Sequence, residues 1–314
     1  MYIKKYSFIL ALAFIAVISS CESDLEIDMD EGGGRLTLFS FLIPDSVFTV
    51  HLSKSVNHSS VDFFERVYDG YVTVVRNNVV VDSFAYPYRD LWAQRPGIPI
   101  QPGDHFELRA GDASGYRVSG STVIPEVVSI SRIDTTRSAI MDPANPGFSY
   151  IQCEIVFYDP ESVDNYYQLV VLKDLWTKTD HGLIHEHRKV SFLKDDPIFY
   201  IRDQEGSLLG GIDFRGTFSD YLINGKEYQL SIRLPASYVQ PPELGQKRKL
   251  TFLLLNQSRD YFNYLRSRVV AEYNYDLPIV DPIKIYSNIE DGLGIIGGIS
   301  VGTDSLVFIG ADYE

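Results

Sequence analysis

"GLGIIGGISVG", residues 292–302, is the stretch on which the fold class turns. Gly292, Gly294 and Gly297 spell G-x-G-x-x-G, and Gly298, Ser300 and Gly302 spell G-x-S-x-G. A real dinucleotide fingerprint would make this an α/β chain, because it needs a preceding strand, a helix opening at the third glycine and an acid about 20 residues on. Here a fourth glycine follows, and then "ISVGTDSLVFI", whose β-branched and aromatic residues are strand chemistry. Asp312 does stand 20 residues past Gly292, but so close to the end of the sequence it is not expected to belong to a βαβ unit. A nucleophile elbow fails on order, since its acid and histidine follow the serine and the last histidine here is His187. The glycines are therefore read as sites of tight turning or of close backbone approach between strands.

Strand patterns extend in both directions from this stretch. Between residues 35 and 125 the segments "RLTLFSFLI", "VFTVHLS", "YVTVVRNNVVVDSFAY", "DHFELRA" and "YRVSGSTVI" are separated by turn punctuation such as Pro102-Gly103-Asp104. Asn77-Asn78 sits between two valine-rich runs, and asparagine tolerates positive φ, so a tight hairpin is expected there. That spacing predicts an immunoglobulin-like β-sandwich over 35–125. Residues 126–314 carry further strands in "VSISRID", "YIQCEIVFYD", "NYYQLVVLKDLW", "KEYQLSIRL" and "KRKLTFLLLN", giving a second β-rich, sandwich-like domain. One amphipathic helix interrupts it at about 258–274, with Ser258 as cap, Asp260 at its positive end and Tyr261, Leu265, Val269 and Tyr273 as its apolar stripe. The fold class read from the sequence is thus mainly β.

The first twenty residues differ from the rest. Lys4 and Lys5 precede eleven apolar residues, Phe8 to Ile18, then Ser19, Ser20 and Cys21. This is the pattern of a secretory signal, and the apolar run is too short for the ~20 residues of a membrane span. Ile18-Ser19-Ser20-Cys21 resembles the lipobox of bacterial lipoproteins, in which the cysteine is acylated and becomes the new N-terminus. The expected organisation is a signal peptide at 1–20 and an acidic, glycine-ended tether at 21–34. Six acids and no base lie between Glu22 and Gly34, and the tether has a reach of roughly 20 Å. Loss of Lys4 and Lys5 takes the formal charge from −14 to −16. Such acidity disfavours nucleic acid, which draws its affinity from clustered Lys and Arg, and the longest basic run is Lys247-Arg248-Lys249.

Cys153 is the only other cysteine. It alternates with Ile151, Ile155 and Phe157, which places it on the buried face of a strand as a structural thiol. Two clusters are candidates for binding. "FAYPYRDLWAQRPGIP" is an aromatic loop in which Tyr86, Tyr88, Arg89 and Trp92 could present flat faces to a sugar, a peptide or a protein partner, or fold back over the sandwich edge. "DHGLIHEHRK" brings His181, His185 and His187 close in sequence; in a strand His185 and His187 share a side, but spacing implies no third metal ligand, so no metal is assigned. No cofactor and no catalytic residue are assigned either.

"SRDYFNYLRS" followed by "DPIKIYSNIEDGLGIIGGISV" resembles the C-terminal signature of the Bacteroidota lipoprotein family known as domain of unknown function 4249. Tyr286, Ser287, Asn288, Ile289, Gly292, Gly294, Ile295, Gly297 and Gly298 carry the match, and Ile43-Pro44-Asp45 fits an early step of the same family. Ile296 stands where the family pattern has Phe, and Phe39-Ser40 where Asn-Gly is common. The resemblance implies an outer-membrane lipoprotein, anchored through Cys21 and associated with a TonB-dependent β-barrel transporter of the SusC kind, and the acids directly after Cys21 resemble the surface-export signal of Bacteroidota lipoproteins, which implies a body facing the cell exterior. The functional expectation is a non-enzymatic accessory or substrate-binding role in uptake. The alternatives are a structural or adhesive envelope-assembly module and a metal-dependent hydrolase using the histidines.

Overall fold

The computed structural model describes residues 34–57, 60–86, 91–142, 145–200, 213–275 and 284–313. The signal segment, Cys21 and nearly all of the acidic tether lie outside the described residues. The N-terminal strands are β1 (Leu36–Leu42), β2 (Phe48–Lys54), β3 (Glu65–Arg66), β4 (Tyr71–Arg76), β5 (Val79–Ala85), β6 (Ala93–Arg95), β7 (His105–Gly111) and β8 (Arg117–Val123). There follow β9 (Ile130–Thr135), β10 (Ile140–Met141), β11 (Ser149–Tyr158), β12 (Tyr166–Thr179), β13 (Gly182–Val190), β14 (Thr217–Ser219) and β15 (Glu227–Pro235). A single turn α1 (Ala236–Val239), strand β16 (Gln246–Gln257), helix α2 (Arg259–Tyr275), β17 (Ile289–Glu290) and β18 (Leu293–Ile309) complete the order.

The protein is mainly β, built as two sandwiches that share one long sheet. That sheet runs β13-β12-β16-β18-β1-β2-β3, with β14 added to β12 and β6 to β2. A five-stranded sheet, β17-β8-β7-β4-β5, covers its β1–β2 end, and a four-stranded sheet of β9, β10, β11 and β15 covers its β12–β16 end. Alternation drives each layer. Leu36, Leu38 and Leu42 of β1 share a core with Phe106 and Leu108 of β7, distinct from the core of Cys153, Ile155, Leu169, Val171, Ile232 and Phe252. The β4–β5 connection is the expected tight hairpin. Asn77 and Asn78 have φ of 51° and 65°, the two left-handed residues a primed turn needs.

β18 joins the two bodies. Its first part pairs parallel with β1, from Thr37↔Leu293 to Leu42↔Gly298, and its remainder pairs antiparallel with β16, from Gln257↔Ile299 to Lys247↔Ile309. β17, just before it, pairs with β8, so residues 289–298 complete the first sandwich although β9 to β16 of the second come before them.

The glycine-rich run is the seat of this junction. Gly298, Ser300 and Gly302 alternate onto one face of β18, under the connection from β8 to β9. A Cβ at Gly298 would lie 3.1 Å from Ile124 Cα, and one at Gly302 3.0 Å from the Val128 carbonyl carbon. Between them Ser300, fully buried, donates its hydroxyl to the Glu126 carbonyl at 2.8 Å, and Asn256 donates to the same oxygen at 3.0 Å. Both active-site patterns are thus accounted for by strand packing.

Helix α2 lies on the other face of the shared sheet. Ser258 caps it, its Oγ accepting from the Tyr261 amide at 3.4 Å, and also accepts from Gly298 N–H at 3.2 Å. Gly297 leaves room for the Tyr261 ring, whose atoms would be 2.9–3.0 Å from a Cβ there, and Phe41 meets that ring edge-on at 5.5 Å. The apolar stripe differs from the four-residue reading. Phe262, against Tyr166 at 4.8 Å, and Val269 are the buried positions, whereas Tyr273 in the last turns is exposed. The cap and the aromatic contacts hold its N-terminal turns, and Val269 and the Ser267 hydroxyl, which accepts from the Tyr286 amide at 2.8 Å, hold it further on.

Candidate binding surface

The aromatic loop is divided by the fold. Tyr86 is buried and its hydroxyl donates to the Leu91 carbonyl at 2.8 Å; Tyr88 and Arg89 lie outside the described residues. His51, on β2, donates from Nδ1 to the same Leu91 oxygen at 2.6 Å and accepts at Nε2 from Ser53 at 3.0 Å. Burial pushes the His51 imidazole below its ordinary range, so it is neutral at physiological pH and the tautomer follows from the carbonyl it must donate to. Trp92 is half-buried, with Phe41 at 6.1 Å and His51 at 5.5 Å between ring centres. One carbonyl held by two side chains therefore fixes the end of the loop, and Tyr86 and Trp92 are spent largely on packing.

What faces solvent is a neighbouring wall. A surface cavity of about 560 Å³ is lined by Phe84, Leu91, Trp92, Gln94 and Arg95. Arg95 lies over the Phe84 ring at 4.6 Å and donates from Nε to Asp82 at 2.5 Å; that hydrogen bond holds the Asp82 carboxyl below the usual range. An aromatic face beside an oriented guanidinium and an amide suits a sugar ring or a peptide backbone. Phe84 and Arg95 were within the stretch read from the sequence, but only the fold, which sets β6 on β2 and β5 on β4, shows that they share the cavity.

The histidines separate into a pair and an outlier. His185 Nε2 and His187 Nδ1 each donate to Asp174 Oδ1 at 2.8 Å, and His185 stacks on Trp176 at 4.8 Å. Burial raises the Asp174 carboxyl, but the hydrogen bonds from His187 and His185 outweigh it and leave it below its ordinary range. His181 stands beyond the turn, its amide donating to Thr179 Oγ1 at 3.3 Å. Among the described residues no group of three His, Cys, Asp or Glu is placed to hold a metal ion. Asp174 was not singled out from the sequence; its cross-strand register with His187 is what brings it in.

Cys153 is fully buried, and desolvation pushes its thiol up to about 12, which makes it an inert core residue. No helix among the described residues is long and apolar enough to cross a membrane.

The model of the family described as "Domain of unknown function (DUF4249)" matches residues 22–305. The chain belongs to this family. The DUF4249 match covers both sandwiches and β18 as far as Ser305. None of the curated proteins compared with the chain matches it. Among solved structures, a β-glucuronidase from glycoside hydrolase family 2 is 7% identical, with a TM-score of 0.22 over 70% of this chain and 19% of that one. A two-domain fibronectin type III segment from chicken tenascin is 10% identical, with a TM-score of 0.19 over 71% of this chain and 90% of that one. The chain thus spans about a fifth of the glucuronidase, and neither likeness bears on activity.

Proposed function

We propose that this DUF4249 protein is an outer-membrane lipoprotein, anchored through Cys21 and facing the cell exterior, that acts as a non-enzymatic accessory or substrate-binding partner of a TonB-dependent β-barrel transporter. The observation that carries the reading is the order Lys4-Lys5, Phe8 to Ile18, Ser19-Ser20-Cys21, followed at once by six acids. The family match supports it by beginning at residue 22, the first position after the proposed acylated cysteine. The role beyond anchorage rests on the resemblance to a lipoprotein family associated with such transporters. The cavity beside Trp92 and Arg95 gives that role a surface on which a sugar or peptide would be held.

Affinity isolation of the tagged native protein from detergent-solubilised outer membranes tests the partnership. The reading requires a large β-barrel to co-purify and deletion of the gene to abolish uptake of one nutrient without loss of a hydrolytic activity. Co-purification with a fibre or secretion machine instead would move the protein to the structural class.

A further inference from the structure

Three cations gather on Tyr238 of α1, and among the described residues none of them is ion-paired to a carboxylate. Lys173 on β12 and Arg188 on β13 are cross-strand partners, and Arg248 comes from β16. Lys173 Nζ lies 5.1 Å from the centre of the Tyr238 ring and Arg188 Cζ 5.4 Å, while Arg188 donates to the Tyr238 hydroxyl oxygen at 2.9 Å. Arg248 Nη1 donates to the carbonyls of Tyr238 at 3.2 Å and Gln240 at 2.9 Å. Lys173 is 5% exposed and Arg248 8%, so both are more than nine-tenths buried.

Elsewhere the molecule pairs its inward-reaching cations: Lys54 with Asp112 and Arg76 with Asp104, at 2.8 and 2.7 Å. Among the described residues Lys173, Arg188 and Arg248 have no such ion pair, and Arg248 Nε is buried with no acceptor at all. Among the described residues Glu186 is the acid whose charge acts on Lys173, and it forms no ion pair with it. A buried donor without an acceptor, such as Arg248 Nε, is unfavourable, and in a chain of formal charge −14 the scarcity of anions is not the cause. Burial also pushes the Lys173 ammonium and the Arg248 guanidinium below their ordinary ranges, with the neighbouring cations adding to the effect at Lys173.

We propose that Lys173, Arg188 and Arg248, gathered on Tyr238, form a binding site for a small oxoanion of the phosphate or carboxylate class. Arg188 is exposed and provides the approach from solvent. The Tyr238 hydroxyl accepts from Arg188 and keeps its own proton to donate to the ligand. A bound oxoanion would supply the acceptor that Arg248 Nε lacks and the countercharge that Lys173 lacks. The site stands independently of the transport reading.

Isothermal titration of the intact, detergent-solubilised protein with inorganic phosphate, sulfate and acetate, at constant ionic strength set with sodium chloride, tests this. Saturable binding is expected for at least one of the three. Binding of phosphate or sulfate without acetate assigns the site to phosphoryl or sulfuryl groups, and binding of acetate assigns it to carboxylates. Arg188→Gln, an exposed change, should weaken that binding about tenfold or more, the loss of one charge-assisted hydrogen bond. Lys173→Met should abolish it, because it removes one of the three cations while keeping the length of the side chain. Heats indistinguishable from sodium chloride for all three anions, or unchanged affinity in Arg188→Gln, would overturn the assignment whether or not Lys173→Met folds.

Discussion

Substitution of Gly294 by alanine probes the junction between the sandwiches. Gly294 has a φ of 116°, a conformation L side chains rarely adopt, and a methyl there would lie 2.8 Å from the Leu38 carbonyl carbon and closer still to its oxygen. Ordinary carbon contacts are about 3.5–4.0 Å, so β1 would have to recede by roughly 1 Å from a strand with which it pairs over six residues. Overpacking of this kind costs about 1–3 kcal/mol and the torsion about 1–2 kcal/mol more. The expected loss is therefore about 2–5 kcal/mol. Two control variants separate the parts. Gly115 has a φ of 91° but nothing within 4 Å of a Cβ, so Gly115→Ala isolates the torsional cost of about 1–2 kcal/mol. Gly302 has no positive φ but a Cβ 3.0 Å from the Val128 carbonyl carbon, so Gly302→Ala isolates the steric cost of about 1–3 kcal/mol. Urea unfolding followed by tryptophan fluorescence suits the comparison, since the two tryptophans, Trp92 and Trp176, report on different sandwiches. Gly294→Ala should be the least stable of the three. If it unfolds within about 0.5 kcal/mol of the unmodified protein, a magnitude typical of harmless surface changes, the close β1–β18 approach is not as described.

Other expectations can be checked with the same assay. Ser258→Ala removes the cap of α2 and the acceptor for Gly298 N–H, and should destabilise the protein by about 1–2 kcal/mol. Asp220 is buried, accepts the Asn165 amide at 2.6 Å and lies near the charge of Asp159; burial, with Asp159 adding to it, raises its carboxyl above the ordinary range. Its folded form therefore holds its proton more tightly than the unfolded chain does, so stability falls as pH rises from about 4 through the folded value. Asp220→Asn keeps an acceptor for Asn165 without the charge, and should raise the unfolding midpoint at pH 7 with a gain that disappears toward about pH 4. Cys153 should resist thiol reagents in the native protein at neutral pH and react at once in denaturant.

The strands and turns were legible in the sequence because each rests on local chemistry: Asn77-Asn78 between valine runs, the alternation around Cys153, Ser258 before an aromatic helix. That 292–302 runs into a strand was legible too, from the β-branched and aromatic residues that follow the glycines. What the sequence did not show is that β18 is one strand of 17 residues serving two sandwiches, since parallel pairing with β1 is a contact across more than 250 positions. The stripe of α2 was misplaced by one residue at Phe262 because four-residue recurrence does not say which face the sheet meets. Lys173 and Arg248 escaped notice as parts of ordinary charged runs. The signal available was period two: Lys173 follows Leu169 and Val171 on the inward face, and Arg248 precedes Leu250, Phe252 and Leu254 on the same layer. Asp174, one residue on from Lys173, faces the other way and meets the histidines.

The proposed lipid on Cys21 would confine this two-sandwich body to a membrane surface, because two or three acyl chains, at about 0.8 kcal/mol per buried methylene, make attachment lasting. Mass spectrometry of the mature N-terminal peptide from the native membrane tests it most directly. Lipid anchorage requires a chain that starts at Cys21 with a thioether-linked diacylglycerol on its sulfur. A free thiol at Cys21, or a mature chain starting at any other residue, would contradict it.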